Sequence, residues 1–318
     1  PLVVQPTVTV RMFRKQPLSV IDLINRGTIS SELAAYLWLA MDGLMLHPFN
    51  LIIVGGTAAG KTSTLNALTS FIPPSERIIT IEDTPELNLF KREDWVQMAS
   101  GEQAGMRELL INSLRMRPDR LIVGDIRGSE AETMFVAMNT GHRGVMGTLH
   151  ANNDRDAVKR LQNAPMSVPE TLIPMAEIII VQHRVHSRKH GLIRRITQVS
   201  ELSKIEEGVV ALNELFRWNP VTDELERTDL SSGVLETLSK VTHFKIQDLK
   251  QEIEDRKQIL EYLQKRNVSL QEEVDLFMEK YYAKLFLEPE KTEKKEKGEL
   301  DSKDTIELNS GKFKSVMK

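Results

Sequence analysis

Residues 51–62 read LIIVGGTAAGKT and constrain the fold more than any other segment. The first four residues are apolar and mostly β-branched, which indicates a buried strand of a parallel sheet. The next eight match G-x-x-x-x-G-K-[ST], the Walker A spacing typical of a loop that holds nucleotide phosphates. We expect a helix over residues 62–71, with the positive end of its dipole facing the bound anion.

This spacing gives each part of the loop a chemical task. Gly55 and Gly60 are expected to allow tight backbone turns, so that N–H groups point inward at phosphate oxygens. Lys61 would bring a positive charge to the β- and γ-phosphates, and the Thr62 hydroxyl would bind Mg²⁺. The predicted loop residues are Gly55, Gly56, Thr57, Ala58, Ala59, Gly60, Lys61, Thr62 and Ser63.

Three later segments place a polar side chain at the end of a predicted strand. Glu82 follows the strand at 77–81, Asp125 ends the run RLIVGD, and His150 follows the strand at 145–149. Open α/β sheets bind ligands at the carboxyl ends of their strands, so we expect these groups near the loop. Glu82 and Asp125 could hold Mg²⁺, partly through water, or orient the attacking water, and His150 could report hydrolysis.

Each of these segments also has a plainer interpretation. The acidic segment could be a solvated turn, the second segment a buried strand with a polar end, and a single histidine is weak support for a site. We expect the following histidines to be surface or packing residues: His47, His183, His186, His190 and His243.

The remaining pattern alternates strands with helices up to residue 174. Strands are predicted at 3–13, 51–54, 77–81, 121–123 and 145–149. Helices are predicted at 20–26, 31–45, 62–71, 105–115, 129–139 and 154–162. This alternation predicts a mainly parallel sheet with helices on both faces.

Beyond residue 174 the pattern changes. A hairpin is predicted from 177–184 and 192–201, and another strand at 209–218. Charged helices are predicted at 234–238, 245–265 and 270–285, and the Lys- and Glu-rich segment 288–318 is expected to be disordered. In the helix at 245–265, the apolar stripe of Ile253, Ile259, Leu260 and Leu263 could pack on the body of the protein or on a neighbouring subunit, and we expect packing on the body.

Bulk composition excludes several classes of function. The 318 residues carry a net charge of −3, so no overall basic field attracts nucleic acid or acidic lipid. There is no cysteine, which rules out disulfides, thiolate metal sites and a thiol nucleophile. The chain opens inside a strand-like run and without methionine, and we expect earlier residues to be missing.

Four segments in this order resemble the secretion ATPase superfamily. They are the phosphate loop, the acidic box IEDTPEL, the acid-ended strand RPDRLIVGDIRG and the His box TGHRGVMGTLHAN. The superfamily contains the hexameric motors of type II and type IV secretion, type IV pili and archaeal surface filaments. GGTAAGKTSTLNAL and RRITQVSEL are most similar to the archaeal branch, which includes the motor of the archaeal flagellum.

The resemblance implies an α/β fold: a RecA-like P-loop NTPase core with a mainly parallel twisted sheet, a C-terminal antiparallel hairpin extension and a C-terminal helical segment. The implied units are 1–25, the end of an N-terminal domain and its connector; 26–230, the ATPase domain; 231–287, the helical segment; and 288–318, the tail. ATP and Mg²⁺ are the implied ligands. A homo-hexamer at the cytoplasmic face of the membrane, docked on a polytopic platform protein without nucleic acid, is the implied assembly.

The resemblance also implies a role for particular residues. Glu82 matches the residue that activates the lytic water, and His150 matches the sensing histidine of the His box, whose first member is His142. Arginines of this superfamily neutralise charge that builds up in the transition state. The candidate arginines are Arg11, Arg115, Arg117 and Arg143, and Arg11 is included among the predicted nucleotide-binding residues.

Two departures from the superfamily pattern leave other functions open. Asp125 stands where relatives usually have glutamate, which withdraws the carboxylate by about 1.5 Å. Relatives also carry an N-terminal domain before the nucleotide domain. A nucleotide-binding switch or structural ring subunit with impaired hydrolysis is therefore one alternative. Because RecA-like cores also drive helicases, a nucleic-acid motor is a further alternative, although an aromatic content of 5% and a net charge of −3 argue against it.

Overall fold

A computed structural model describes residues 7, 8, 10, 16–89, 91–187, 191–206 and 209–287. Its helices are α1 (Val20–Asn25), α2 (Ser31–Asp42), α3 (Lys61–Leu68), α4 (Met106–Ser113), α5 (Glu130–Asn139), α6 (Asp154–Gln162), α7 (Gly233–Thr242), α8 (Ile246–Lys265) and α9 (Gln271–Leu287). Its strands are β1 (Leu51–Val54), β2 (Ile78–Glu82), β3 (Trp95–Ala99), β4 (Arg120–Ile126), β5 (Met146–Leu149), β6 (Ile178–Ser187), β7 (Gly191–Glu206), β8 (Val209–Asn219) and β9 (Glu224–Arg227).

The described strands form one sheet in the order β3-β2-β4-β5-β1-β6-β7-β8-β9. In this order, each neighbouring pair in the run β3-β2-β4-β5-β1-β6 is parallel. Each neighbouring pair in the run β6-β7-β8-β9 is antiparallel. The predicted fold class is therefore confirmed: a RecA-like α/β core with a mainly parallel sheet, an antiparallel extension and a helical C-terminal segment.

Both faces of the parallel part are buried, which explains why β1 has no polar residue. Leu51 and Ile53 belong to one core, with α1, α2, α3 and the C-terminal helices. Ile52 and Val54 belong to a second core, with α4, α5 and α6. Side chains alternate along a strand, so a strand between two helical layers must be apolar at every position.

Two strands were not expected from the sequence. Trp95–Ala99 pairs with β2, and Glu224–Arg227 pairs with β8, so each lies at an edge of the sheet. Both are short and carry partly or fully exposed side chains. An edge strand needs little apolar pattern, and the sequence signal is correspondingly weak.

Two predictions cannot be compared with the structure. Most of the strand expected at 3–13, and the whole tail at 288–318, lie outside the described residues. The division at residues 25, 230 and 287 stays a prediction. Among the described residues, no helix combines the length and the apolar composition needed to cross a bilayer.

The C-terminal helices pack on α2 around a buried ion pair. Arg256 of α8 donates from Nη1 to Oδ2 of Asp42 at 2.8 Å and from Nε to Glu252 at 3.1 Å. The hydroxyl of Tyr282 of α9 also donates to Asp42, at 3.0 Å. The predicted apolar stripe of α8 is buried in the same core as α2, so its packing on the body is confirmed.

Replacing Arg256 with methionine should destabilise the protein by about 3–5 kcal/mol, because it leaves the buried carboxylate of Asp42 without its cation. Lys257 is the matched control, since its ion pair with Glu254 is solvent-accessible and is worth about 0–1 kcal/mol. Urea unfolding of Arg256→Met and Lys257→Met measures both. Equal losses in the two variants would show that the buried pair does not fasten these helices.

A second, partly buried carboxylate lies just before β6, at the edge of the sheet where the parallel strands begin. Oε2 of Glu177 accepts the backbone N–H of Asn50 at 2.7 Å. The Asn50 side chain bonds the Met175 carbonyl and the Val145 N–H, which joins the starts of three strands. Burial raises the pKa of Glu177 to about 7.

This raised pKa predicts a pH dependence of stability. The folded-state pKa of about 7 exceeds the ordinary value of 4.5, so the folded chain binds more protons between these values. Stability from this group is full below pH 4.5 and is lost as the pH rises through 7, by up to about 3 kcal/mol. Between pH 5 and 8, Glu177→Gln should lose less stability than the unsubstituted chain, and thermal melts at a series of pH values measure this. The same dependence of melting temperature on pH in both proteins would contradict this expectation.

Candidate nucleotide site

The phosphate loop joins β1 to α3 through an unusual backbone path. Ala58 and Gly60 have φ angles of +58° and +98°, and Gly60 is the residue that caps α3. The predicted turn at Gly60 is confirmed. Gly55 has a different reason to be glycine: its φ is not positive, but a Cβ there would overlap the carbonyl oxygen of Gln182.

Lys61 is folded back onto its own loop. Its Nζ donates to the carbonyls of Gly55 at 3.0 Å and Gly56 at 3.3 Å. It also lies 3.4 Å from Nδ1 of His150. The residue is only 7% exposed, and burial lowers the pKa of its amine.

The three predicted polar groups meet at one edge of the sheet. Glu82 ends β2, Asp125 lies near the end of β4, and His150 follows β5 directly. These strands are adjacent and parallel in the order β2-β4-β5, and β5 lies beside β1. The sequence-based expectation that these side chains lie near the loop agrees with their positions.

His150 bridges the loop and the third segment. Its Nε2 lies 3.5 Å from Oδ2 of Asp125, while its Nδ1 faces the Lys61 amine. An ammonium group can only donate, so Nδ1 must accept and Nε2 must carry the proton. Burial and the positive charge of Lys61 lower the pKa of His150, which favours this neutral form.

Asp125 has one engaged oxygen and one without a partner. Its Oδ2 accepts from Nε and Nη2 of Arg127, at 2.8 and 2.6 Å. Its Oδ1 is buried and accepts no hydrogen bond among the described residues. Arg127, which follows the last residue of β4, was not among the predicted site residues. Its position two residues after Asp125 was the available signal, because side chains two residues apart in an extended segment share a face.

Glu82 is 2% exposed and already engaged by the turn that follows it. Its Oε1 accepts the backbone N–H groups of Glu86 and Leu87, both at 3.0 Å. Burial raises the pKa of the Glu82 carboxyl. Glycine at position 124 leaves room for Glu82, since a Cβ there would lie 2.9 Å from Cγ of Glu82.

The three candidate arginines that the structure describes do not line this site within the chain. Arg143 lies before β5 and contacts Nε2 of His47 at 2.8 Å, at the opposite edge of the sheet. Arg115 and Arg117 are exposed and precede β4, as His142 precedes β5. Arg11 lies outside the described residues.

The other histidines that the structure describes are surface or packing residues, as expected. His183 packs between the Asn152 carbonyl and Thr197, at 2.8 Å from each. His186 and His243 are exposed, and His190 lies outside the described residues.

A cavity of about 960 Å³ opens over the loop, within the size range of small-ligand sites. Lys61, Thr62, Glu82, Asp125 and His150 line it, and so do residues of the β6–β7 hairpin. Among the described residues, no group of three or more acidic or histidine side chains could hold a metal by itself. Mg²⁺ would therefore depend on phosphate oxygens as well, and the unpartnered Oδ1 of Asp125 and the Thr62 hydroxyl suit that arrangement.

The chain is similar to a protein family and to several known proteins. A sequence profile described as "Type II/IV secretion system protein" matches residues 1–273. An uncharacterized protein of Methanocaldococcus jannaschii is 34% identical over 260 residues, which are 79% of this chain and 93% of that protein. A second uncharacterized protein of that organism is 36% identical over 275 residues, 83% of this chain but 48% of the relative.

Among solved structures, the VirB11 ATPase from the Brucella suis type IV secretion system, in complex with sulphate, is 26% identical to this chain. The alignment covers 57% of this chain and 54% of that one, with a TM-score of 0.46. The chain therefore spans about half the length of some of the proteins that it matches. On the match of the sequence profile to residues 1–273, the chain belongs to the type II/IV secretion system protein family.

Proposed function

We propose that this chain is a Mg²⁺-dependent ATPase that powers a type II/IV secretion or pilus-like filament machine of the archaeal type. The observation that carries the proposal is the contact of Lys61 with His150, and of His150 with Asp125, directly over a phosphate loop. Family membership supports the same conclusion.

The residues of the chain suit hydrolysis of ATP to ADP and phosphate. Lys61 would exchange its two loop carbonyls for phosphate oxygens, which are stronger partners for an ammonium group. Thr62 and Asp125, with Glu82 partly through water, would hold Mg²⁺. When bound, the ion neutralises charge that develops on the phosphates.

Glu82 is the proposed base. It would accept a proton from the water that attacks the γ-phosphorus in line as the bond to the ADP oxygen breaks. Its raised pKa makes it a stronger base than an exposed glutamate. The N–H groups of Glu86 and Leu87 hold Oε1 at 3.0 Å, whereas Oε2 has only contacts of 3.4–3.5 Å and is the oxygen that would accept the proton.

The assembly is also a proposal. A ring, of six chains as in the superfamily that the sequence resembles, would let a neighbouring subunit supply Arg115, Arg117 or Arg143, which lie away from the site in their own chain. The output would be domain motion delivered to a membrane platform protein from the cytoplasmic side. We propose that the chain divides into four units, at 1–25, 26–230, 231–287 and 288–318.

A hydrolysis-impaired switch remains the second candidate. Asp125 is shorter than the usual glutamate and is paired with Arg127, and Glu82 is held by the backbone. Such a protein would bind ATP and release little phosphate.

Phosphate release with Mg²⁺ and ATP separates the two candidates. The unsubstituted chain should turn over ATP, and Lys61→Ala and Glu82→Gln should each lower the rate by about 10² or more. Lys240→Ala, an exposed change on α7, is the control and should keep the full rate. ATP binding without phosphate release in the unsubstituted chain would favour the switch instead.

The two glycines that open the loop provide a second test. Gly55→Ala should weaken ADP binding by about tenfold or more, because the new Cβ overlaps the Gln182 carbonyl and must displace the loop. Gly56→Ala should bind nearly as well as the unsubstituted chain, since a Cβ there meets no atom within 4 Å. Isothermal titration with ADP measures both. Similar affinities for the two variants would contradict this account of the loop.

A further inference from the structure

Arg194 of β7 reaches across to the phosphate loop. Its Nε donates to the carbonyl of Ala58 at 3.1 Å. Its Cδ lies 2.9 Å, and its Nε 3.4 Å, from the place where a Cβ on Gly60 would be. Arg194 therefore covers the part of the loop with left-handed backbone, and a side chain at residue 60 would displace it.

No ion pair with a described residue neutralises the charge of Arg194. Its neighbour Arg195 is buried and makes two bonds of 2.7 Å to the carboxylate of Asp223. Arg194 is exposed, and neither of its Nη nitrogens hydrogen-bonds to a described residue. It also stands directly opposite Arg184 in the β6–β7 pair, an arrangement of like charges that costs free energy.

The sheet order puts this arginine on the other side of the loop from the groups already described. Strands β5 and β4, which carry His150 and Asp125, lie on one side of β1, and β6 and β7 lie on the other. Arg194 lines the same cavity as Lys61 and Thr62, whereas Arg184 does not. A polyanion in the cavity would thus meet Lys61 from the loop and Arg194 from the β7 side.

We propose that Arg194 is a nucleotide-binding residue, which braces the loop through Nε and offers its Nη nitrogens to a phosphate oxygen of the nucleotide. This inference rests on the proposed function, because it assumes that the cavity takes a nucleoside di- or triphosphate. The planar guanidinium can hold the loop carbonyl and an anionic oxygen at once, which an ammonium group does less well.

The test is titration of the full chain with ADP at several sodium chloride concentrations. Arg194→Gln should weaken binding about tenfold and make the affinity less dependent on salt, since one charge contact with phosphate is lost. Arg194→Lys keeps the charge and should keep most of the salt dependence. Arg184→Gln removes the same charge from the opposite residue and should change the affinity less than twofold.

Each outcome decides between the proposals. Unchanged affinity and salt dependence in Arg194→Gln, with ADP binding intact in the unsubstituted chain, would overturn this inference and leave the proposed function standing. Equal losses in Arg194→Gln and Arg184→Gln would also overturn it, because general charge would then explain both. Weaker binding with an unaltered salt dependence would show a structural brace only. If the unsubstituted chain bound no ADP, the proposed function and this inference would fail together.

Discussion

The parallel pairing of β1 with β5 on one side and β6 on the other is the constraint on which the rest of the structure depends. Val54, the last residue of β1, is in register with both Leu149 and Val181. The phosphate loop therefore begins level with the next residues along, His150 and Gln182. His150 contacts Lys61, and the carbonyl oxygen of Gln182 leaves no room for a Cβ at Gly55.

The polar groups along this edge form a continuous chain of contacts. It runs from Arg127 to Asp125, from Asp125 to His150, and from His150 to Lys61. Burial lowers the pKa of both His150 and Lys61, so the folded chain disfavours positive charge at this position. A phosphate group is the kind of ligand that would reverse this preference, because a nearby anion stabilises the charged forms of both.

The helical layer beneath the sheet is continuous with the C-terminal segment. Every residue from Leu33 to Asp42 of α2 is buried. Its Trp38 stacks on Phe71 and lies under the guanidinium of Arg256, 5.0 Å from the ring centre. The C-terminal helices thus complete the core around α2, and most of their charged residues lie on the outer faces, with Arg256 as a buried exception.

The sequence by itself determined the strand, loop and helix at 51–68 and the three polar residues that end neighbouring strands, because these depend on local periodicity and motif spacing. It also determined the α/β class, from the alternation of strands and helices. Only the tertiary structure decided that Glu82 is held by its own turn, that Arg127 pairs with Asp125, and that Arg143 lies at the far edge. Arg194 is the clearest case, since it is 136 residues from its partner Ala58. Such contacts depend on the order and register of distant strands, which no local pattern encodes.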